Sequence, residues 1–385
     1  MTGQRINPRL DRAQLSLGVE VIRPLLILLM CLAHIPLLQH YIHESVGLQA
    51  PASLLGPFLK DVLARATVPA LTAIAGYLAW QSSQRRAYPA FVLEKTRRIL
   101  VPFVLWNLIA LGLVYLLLLA FGISYGGHLE RIRSPMDLAL VLLPYNAMPV
   151  NVPTYFLRDL FLILLCVPVF RLITHRLSIG LLAAGALLGL MLTVLPLSIS
   201  LGGHAILYRN DMPLFFLLGF LAARHARGIP AIHARPATWV LAAALLASLI
   251  VVVMLGQLKP SVETYVRFRP LLGLGALAVL PFAFSLIAAG RDRWPVLALQ
   301  KLSPYSYSIF LSHFLIAIVI TANLSDPISR WLHGLQINNL SSWWLQSGFV
   351  MTYLLLCIGL GWIVKTIHDQ VARQAQRTAR PTSRA

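Results

Sequence analysis

Apolar stretches of about twenty residues recur along almost the whole of this 385-residue chain, and they fix what it can fold into. A helix rises about 1.5 Å per residue, so roughly 20 apolar residues cross the hydrocarbon core of a bilayer. Ten such stretches can be read, at about 18–39, 64–82, 99–122, 153–174, 177–198, 206–224, 238–257, 270–289, 305–324 and 343–365. The sixth is the weakest, because its apolar core, Met212–Ala223, is short. Only 12% of the residues are charged and 58% are hydrophobic. A soluble domain carries about 25% charged residues, so this chain cannot hide its apolar surface in a water-soluble core. The expectation is an all-α polytopic membrane protein, a bundle of about ten transmembrane helices. Pro102, Pro168, Pro196 and Pro281 fall inside stretches, where neighbouring helices absorb a kink. Between the third and fourth stretches, Met136–Leu143 is apolar but too short to span, which suits an interfacial or re-entrant helix.

The net charge of +19 raises the question of nucleic acid, but its distribution points elsewhere. With the N-terminus placed inside, the inner loops hold Arg85, Arg86, Lys95, Arg97 and Arg98, and the C-terminal Lys365, Arg373, Arg377, Arg380 and Arg384. The inner side then carries more than twice the Lys and Arg of the outer side, which puts both termini in the cytoplasm. The charge reads as a topology signal and an attraction to lipid headgroups, with no nucleic-acid partner. The expected organisation is a cytoplasmic segment 1–17, a transmembrane domain 18–365 and a basic cytoplasmic tail 366–385, disordered from about Arg373. The first seventeen residues are polar and basic, and no cleavable signal peptide is read there. Cys31, Cys166 and Cys357 all lie in apolar runs, so no disulfide framework is indicated.

Within the first stretch, Val19–Tyr41, stand Arg23 and His34, separated by ten residues. Eleven helical steps make three turns plus roughly 20°, so both side chains share a face about 16 Å apart. A cation and an imidazole inside a bilayer are costly and call for a function. The plainer readings are an arginine that snorkels to the inner interface and a histidine bonded to a neighbouring helix. Glu20, three residues before Arg23, is placed to pair with it.

Arginine, ten residues, then histidine in the first span resembles the hallmark of the membrane acyltransferase-3 family. Further resemblances follow in order. Val68–Leu78 (VPALTAIAGYL) is similar to that family's second helix, ending in Gly-Tyr-Leu. Lys95–Trp106 (KTRRILVPFVLW) is similar to its basic cluster followed by a proline. Tyr155–Pro168 resembles its aromatic-Phe-Leu segment with a distant proline, and Pro213–Leu221 (PLFFLLGFL) its Phe-Phe-x-x-Gly pattern. Ser306–Phe314 (SYSIFLSHF) resembles its late Ser-Tyr-x-x-Tyr-Leu-x-His motif. The resemblance covers about Val19–Trp362. It departs at Pro24, where the family usually has glycine, at Lys95, where it often has a first arginine, and at Phe310, where it has tyrosine. No appended esterase-like domain is expected, which would make this a stand-alone member.

The resemblance implies an integral-membrane O-acyltransferase of the bacterial cytoplasmic (inner) membrane. It would move an acetyl or succinyl group from cytoplasmic acyl-coenzyme A (acyl-CoA) to a hydroxyl of a glycan or lipid-linked sugar. The donor is a substrate, and no bound cofactor or metal is expected. Lys95, Arg97 and Arg98 would bind the donor's phosphates, arginine by bidentate hydrogen bonds. Arg23 would hold a phosphate or the donor carbonyl deeper in the bundle. His34 would be the general base, an imidazole being suited to take a hydroxyl proton near neutrality. Both Arg23 and His34 should then face a polar cavity with Arg97 or Arg98 at its cytoplasmic mouth. For the basic cluster, a topology signal alone is the competing reading.

Arg158 and Asp159 are adjacent in the fourth stretch and, as helix neighbours, need not pair with each other. They would orient partners, bind the acceptor or pair with another helix. Asp211 would orient His34, contact the acceptor or cap a helix. His313, in the ninth stretch, would orient or bind the acceptor, or simply bond another helix. Tyr305, Ser306 and Tyr307 read as a helix entrance, and Trp343 and Trp344 as interfacial anchors. His40 and His43 read as solvated histidines at a helix end. No His-Glu-x-x-His, phosphate-loop or Cys-x-x-Cys motif is present. The alternative function is a transporter or flippase, against which stands the lack of a convincing internal repeat.

Overall fold

The computed structural model describes residues 12–35, 63–122, 127–143, 148–194, 209–225, 262–323 and 339–378, and among them the extended regular structure is helical. The expected stretch at 238–257, Pro196, His40 and His43 lie outside the described residues. Helix α1 is Arg12–Ala33, α2 is Arg65–Ser83, and α3 is Tyr88–Lys95. A π-helical turn, Thr96–Leu100, joins α3 to α4, Val101–Phe121. Then come α5 (Pro135–Leu142), α6 (Tyr155–Leu165), α7 (Val167–Arg176), α8 (Ile179–Val194) and α9 (Met212–His225). Helices α10 (Val262–Ala289), α11 (Trp294–Leu302), α12 (Ser306–Asn323) and α13 (Asn339–Thr378) complete the described set.

Among the described residues, five helical stretches are long and apolar enough to cross a membrane: Ala13–Ala33, Tyr88–Phe121, Pro270–Ala289, Trp294–Thr321 and Ser347–Gln374. Helix α4 shows why they suit lipid. One face buries Phe103, Ala110, Val114 and Leu117, while Leu105, Leu108, Leu116 and Leu119 remain exposed on the other. An exposed apolar face of this extent is stable against acyl chains, not water. The chain has the character of an integral membrane protein.

Several expected boundaries shift, each for a local reason. The third helical rod begins at Tyr88 and not near residue 99, with Pro89 in its first turn. Pro102 cannot donate to the carbonyl four residues back, and the π turn lies immediately before it. The rod ends at Gly122, whose φ of +67° is the left-handed stop that glycine adopts without penalty. The stretch at 153–174 is two helices, not one. They meet at Cys166, and Pro168 sits in the first turn of α7, where its missing N–H costs nothing, instead of kinking a continuous span. Helix α13 runs past residue 365 to Thr378, so the first part of the expected tail is helical. Lys365 and Asp369, one turn apart, pair at 2.5 Å there, and Arg373 donates to the Asp369 carbonyl. The short apolar piece after the third stretch is α5, capped by Ser134.

Two glycines set the closest helix approach. A Cβ at Gly76 of α2 would fall 2.1 Å from the Phe216 carbonyl oxygen, and one at Gly219 of α9 would fall 1.9 Å from that of Ala73. The backbones of α2 and α9 therefore touch directly, as small residues allow in membranes. These are the glycines of the Gly-Tyr-Leu and Phe-Phe-x-x-Gly segments. Around the crossing, α1 packs on α2, α10 and α12, and α12 packs on α13. The main core gathers Met30 and Cys31 of α1, Leu160 of α6, Phe216 and Phe220 of α9, Ile309 and Phe310 of α12, and Tyr353 and Cys357 of α13.

Candidate functional site

Helix α1 packs against the α11–α12 arm, which meets Glu20 towards one end and His34 at the other. Gln300 of α11 donates to Glu20 at 3.5 Å, and the charge of Glu20 acts on Arg23. Arg23 is half-buried. At the other end of α1, the His34 ring meets that of His313 at 5.5 Å between centroids, and that of Phe314 edge-on at 5.4 Å. Fourteen residues separate the two contacts on α1 and thirteen on the α11–α12 arm, so the two segments run side by side in the same direction. Helix α1 ends at Ala33, so His34 stands just beyond the helix, its N–H bonded to the Cys31 carbonyl at 3.1 Å.

His313 is completely buried. Its Nδ1 lies 2.8 Å from the Phe310 carbonyl and 3.3 Å from that of Ile309. Those oxygens only accept, so Nδ1 carries the proton and Nε2 holds the lone pair. Among the described residues, Nε2 has no hydrogen-bond partner. Tyr353 of α13 donates to the His313 carbonyl at 3.4 Å.

The backbone beside this pair is tied by a polar network that periodicity did not single out. Asn107 of α4 donates to the Phe103 carbonyl and, at 3.0 Å, to Thr154 Oγ1. Its Oδ1 accepts the N–H of Asn151 at 3.0 Å. Asn151 in turn donates to the Leu311 carbonyl of α12 at 2.9 Å. All three side chains are fully buried, and they join α4 and the turn before α6 to the stretch of α12 that carries His313. An asparagine within the apolar run Phe103–Ala110 was the signal that could have found it.

Arg158, Asp159 and Asp211 form a second cluster. Helix geometry left open whether Arg158 and Asp159 pair, and they do pair with each other, Nε and Nη2 reaching Oδ1 at 3.0 and 2.9 Å. The long arginine side chain curls back because both groups are buried and need an opposite charge. Asp159 Oδ2 also accepts the backbone N–H of Arg209 at 3.1 Å. Asp211 pairs with Arg209, Nε to Oδ1 at 2.9 Å, while its carbonyl accepts from Leu214 and Phe215 in the first turn of α9. The described partner of the Asp211 side chain is thus Arg209 rather than His34. Arg209 also bonds Tyr155.

The basic cluster sits on α3 and the π turn. Arg97 and Arg98 are exposed, and Lys95 stands 5.2 Å from the centre of the Phe91 ring. Glu94 pairs with Arg98 at 3.1 Å and with Arg86. Tyr307 donates to the Arg98 carbonyl at 2.8 Å, which anchors the cluster to the first turn of α12. His313 lies six residues further along α12, roughly 9 Å along its axis. Ser303–Tyr305 form a 3₁₀ turn into α12, and Ser306 donates to the Ser303 carbonyl, so these residues are a helix entrance as read. Trp343 and Trp344 lie on α13. A cavity of about 200 Å³ opens between α1, α2, α9 and α10, lined by Val19, Ile74, Tyr77, Leu280 and Phe284 among others. Neither Arg23 nor His34 lines that cavity.

Residues 16–364 match the family model described as "Acyltransferase domain". The chain is also similar to the succinoglycan biosynthesis protein ExoH of Rhizobium meliloti (strain 1021), 31% identical over 173 residues. That alignment covers 43% of this chain and 44% of the relative, so the chain spans less than half the length of the curated protein it matches. No solved structure matches.

Proposed function

This chain belongs to the acyltransferase-3 family, and we propose that it is an integral-membrane O-acyltransferase of the bacterial inner membrane. It moves an acetyl or succinyl group from acyl-CoA to a hydroxyl of a glycan or lipid-linked sugar. The observation that carries this reading is the placing of His34 beside His313, with the basic cluster anchored at the entrance of the same helix α12. The name of the relative, which concerns the biosynthesis of a glycan, supports a glycan acceptor.

The donor approaches from the cytoplasm, where both termini lie. Arg97 and Arg98 are exposed and free to turn towards its phosphates, Arg98 by leaving Glu94, and Lys95 adds a third charge. Arg23, half-buried and balanced by Glu20, holds the thioester end deeper in the bundle. His34 takes the proton of the acceptor hydroxyl as its oxygen attacks the thioester carbonyl. The paired cluster around Asp159 holds α6 to the start of α9 and orients the acceptor side.

Membranes given radiolabelled acetyl- or succinyl-coenzyme A and glycan acceptors test the reading. His34→Ala is expected to lower transfer by about 10²- to 10⁴-fold at unchanged protein level. Equal labelling by wild type and His34→Ala overturns the base. Movement of a solute into liposomes, with no acyl label moved from either donor, overturns the enzyme and favours the transporter.

A further inference from the structure

We infer that His313 is the positioning partner of His34: its Nε2 accepts the ring N–H of His34 and so sets which nitrogen of His34 meets the acceptor. The inference rests on the reading of His34 as the base.

Three features carry it. The tautomer of His313 is set by the backbone, because Nδ1 donates to the Phe310 carbonyl and leaves Nε2 as an acceptor. That nitrogen is fully buried and, among the described residues, unpartnered, whereas buried polar atoms are almost always satisfied. The ring nearest to it in chemical kind is His34, with centroids 5.5 Å apart and planes tilted by 51°. A ring nitrogen lies about 1.1 Å from its centroid, so an N–H···N bond of about 3 Å sets two imidazole centroids a little over 5 Å apart. His34 stands one residue beyond the end of α1.

The arrangement follows the logic of a base held by a third group. The chain runs from the acceptor hydroxyl to His34, to His313, to the Phe310 carbonyl. In the transfer step the acceptor oxygen forms the new ester C–O bond and the thioester C–S bond breaks. The hydroxyl proton passes to His34 and then to the departing thiolate sulfur. His313 keeps its own proton throughout and serves only to hold the tautomer and orientation of His34. Tyr353 and the Asn107–Asn151–Thr154 network fix the backbone of α12 around it.

The test uses the full-length protein in membranes of a deletion strain. The probes are radiolabelled acetyl- and succinyl-coenzyme A, with that strain's own extracellular polysaccharide as acceptor. His313→Leu is expected to lower kcat by on the order of 10²-fold with the donor KM and the melting temperature little changed. His313→Gln, whose amide oxygen accepts the same N–H, is expected to recover a substantial part of kcat. If His313→Leu turns over like wild type while His34→Ala is inactive, the positioning role is wrong and the base reading survives. If His34→Ala transfers like wild type, the base reading fails and this inference with it. A fall in kcat that tracks lost protein and lowered melting, with no recovery in the glutamine variant, makes His313 structural and overturns the inference.

Discussion

Around Asp159 the buried charges answer one another, while around His313 one buried nitrogen has been left over. Arg158, Asp159, Arg209 and Asp211 bring together two cations and two anions, each side chain meeting an opposite charge. His313 spends Nδ1 on a backbone carbonyl and keeps Nε2 unbonded. Both lie in the same low-dielectric bundle, where an unsatisfied polar atom costs about 1–3 kcal/mol. The first arrangement recovers the cost of burying its charges and joins α6 to the start of α9. The second leaves its cost standing among the described residues, and a bond from His34 would remove it. Asn151 Oδ1 is likewise buried and unpaired among the described residues, so an unpaired atom marks a reacting group only where, as at His313, a second titratable ring stands beside it.

The largest expected effect breaks the complete cluster. Asp159→Ala takes the carboxylate from the buried Arg158 guanidinium and the acceptor from the Arg209 backbone N–H, and should cost about 3–5 kcal/mol, read as lost folded protein in detergent melting. Retained melting with lost transfer would instead move this cluster into the reaction. Gly219→Ala sharpens the comparison from the apolar side. Its methyl would overlap the Ala73 carbonyl, so α2 and α9 must separate, at about 1–3 kcal/mol with no polar group involved. Asn107→Ala removes bonds to Thr154 and Asn151 and should cost about 1–3 kcal/mol, with some loss of transfer because α12 is less firmly held. His313→Leu should leave stability within about 1 kcal/mol of wild type, since it removes an unsatisfied nitrogen together with one side-chain bond.

The smallest effect lies outside the bundle. Ser134 caps α5 and exchanges hydrogen bonds with Asp137, whose carboxyl is held below its ordinary value of 3.8 by Ser134 and by the Arg133 N–H. A carboxyl with a depressed folded pKa stabilises above its unfolded value, and that contribution fades as pH falls through the folded one. Ser134→Ala should cost about 1 kcal/mol near neutrality, and less once the medium is acid enough to protonate Asp137. Hydrogen exchange of the 135–142 amides at pH 7 and below pH 3.8 reads both. Equal protection in wild type and variant at neutral pH would remove the cap from the account.

Much of the site could be read along the chain because its signals are local. A cation and an imidazole in one apolar run announce themselves by cost, which singled out Arg23 and His34, while His313 stood out in the late motif. The glycines of the two motif segments were visible too, although not what they meet. Helix ends were harder, as Pro102 and Pro168 show. A proline's effect depends on whether the chain offers a π turn or a new helix start, and apolar periodicity is silent on that. Helix geometry, which places neighbours apart, left the pairing of Arg158 with Asp159 open. The demand of a buried arginine for the nearest carboxylate decided it.

The sequence by itself determined the membrane character, the helical class and the family, because hydrophobic length, low charge and ordered motifs are properties of short segments. Only the tertiary structure decided that His34 meets His313, that Asp211 answers Arg209, and that Asn107 ties α4 to α12. Those pairings join residues up to 279 positions apart. Their partners are chosen by how helices cross, and the closest crossing depends on side chains that Gly76 and Gly219 do not have.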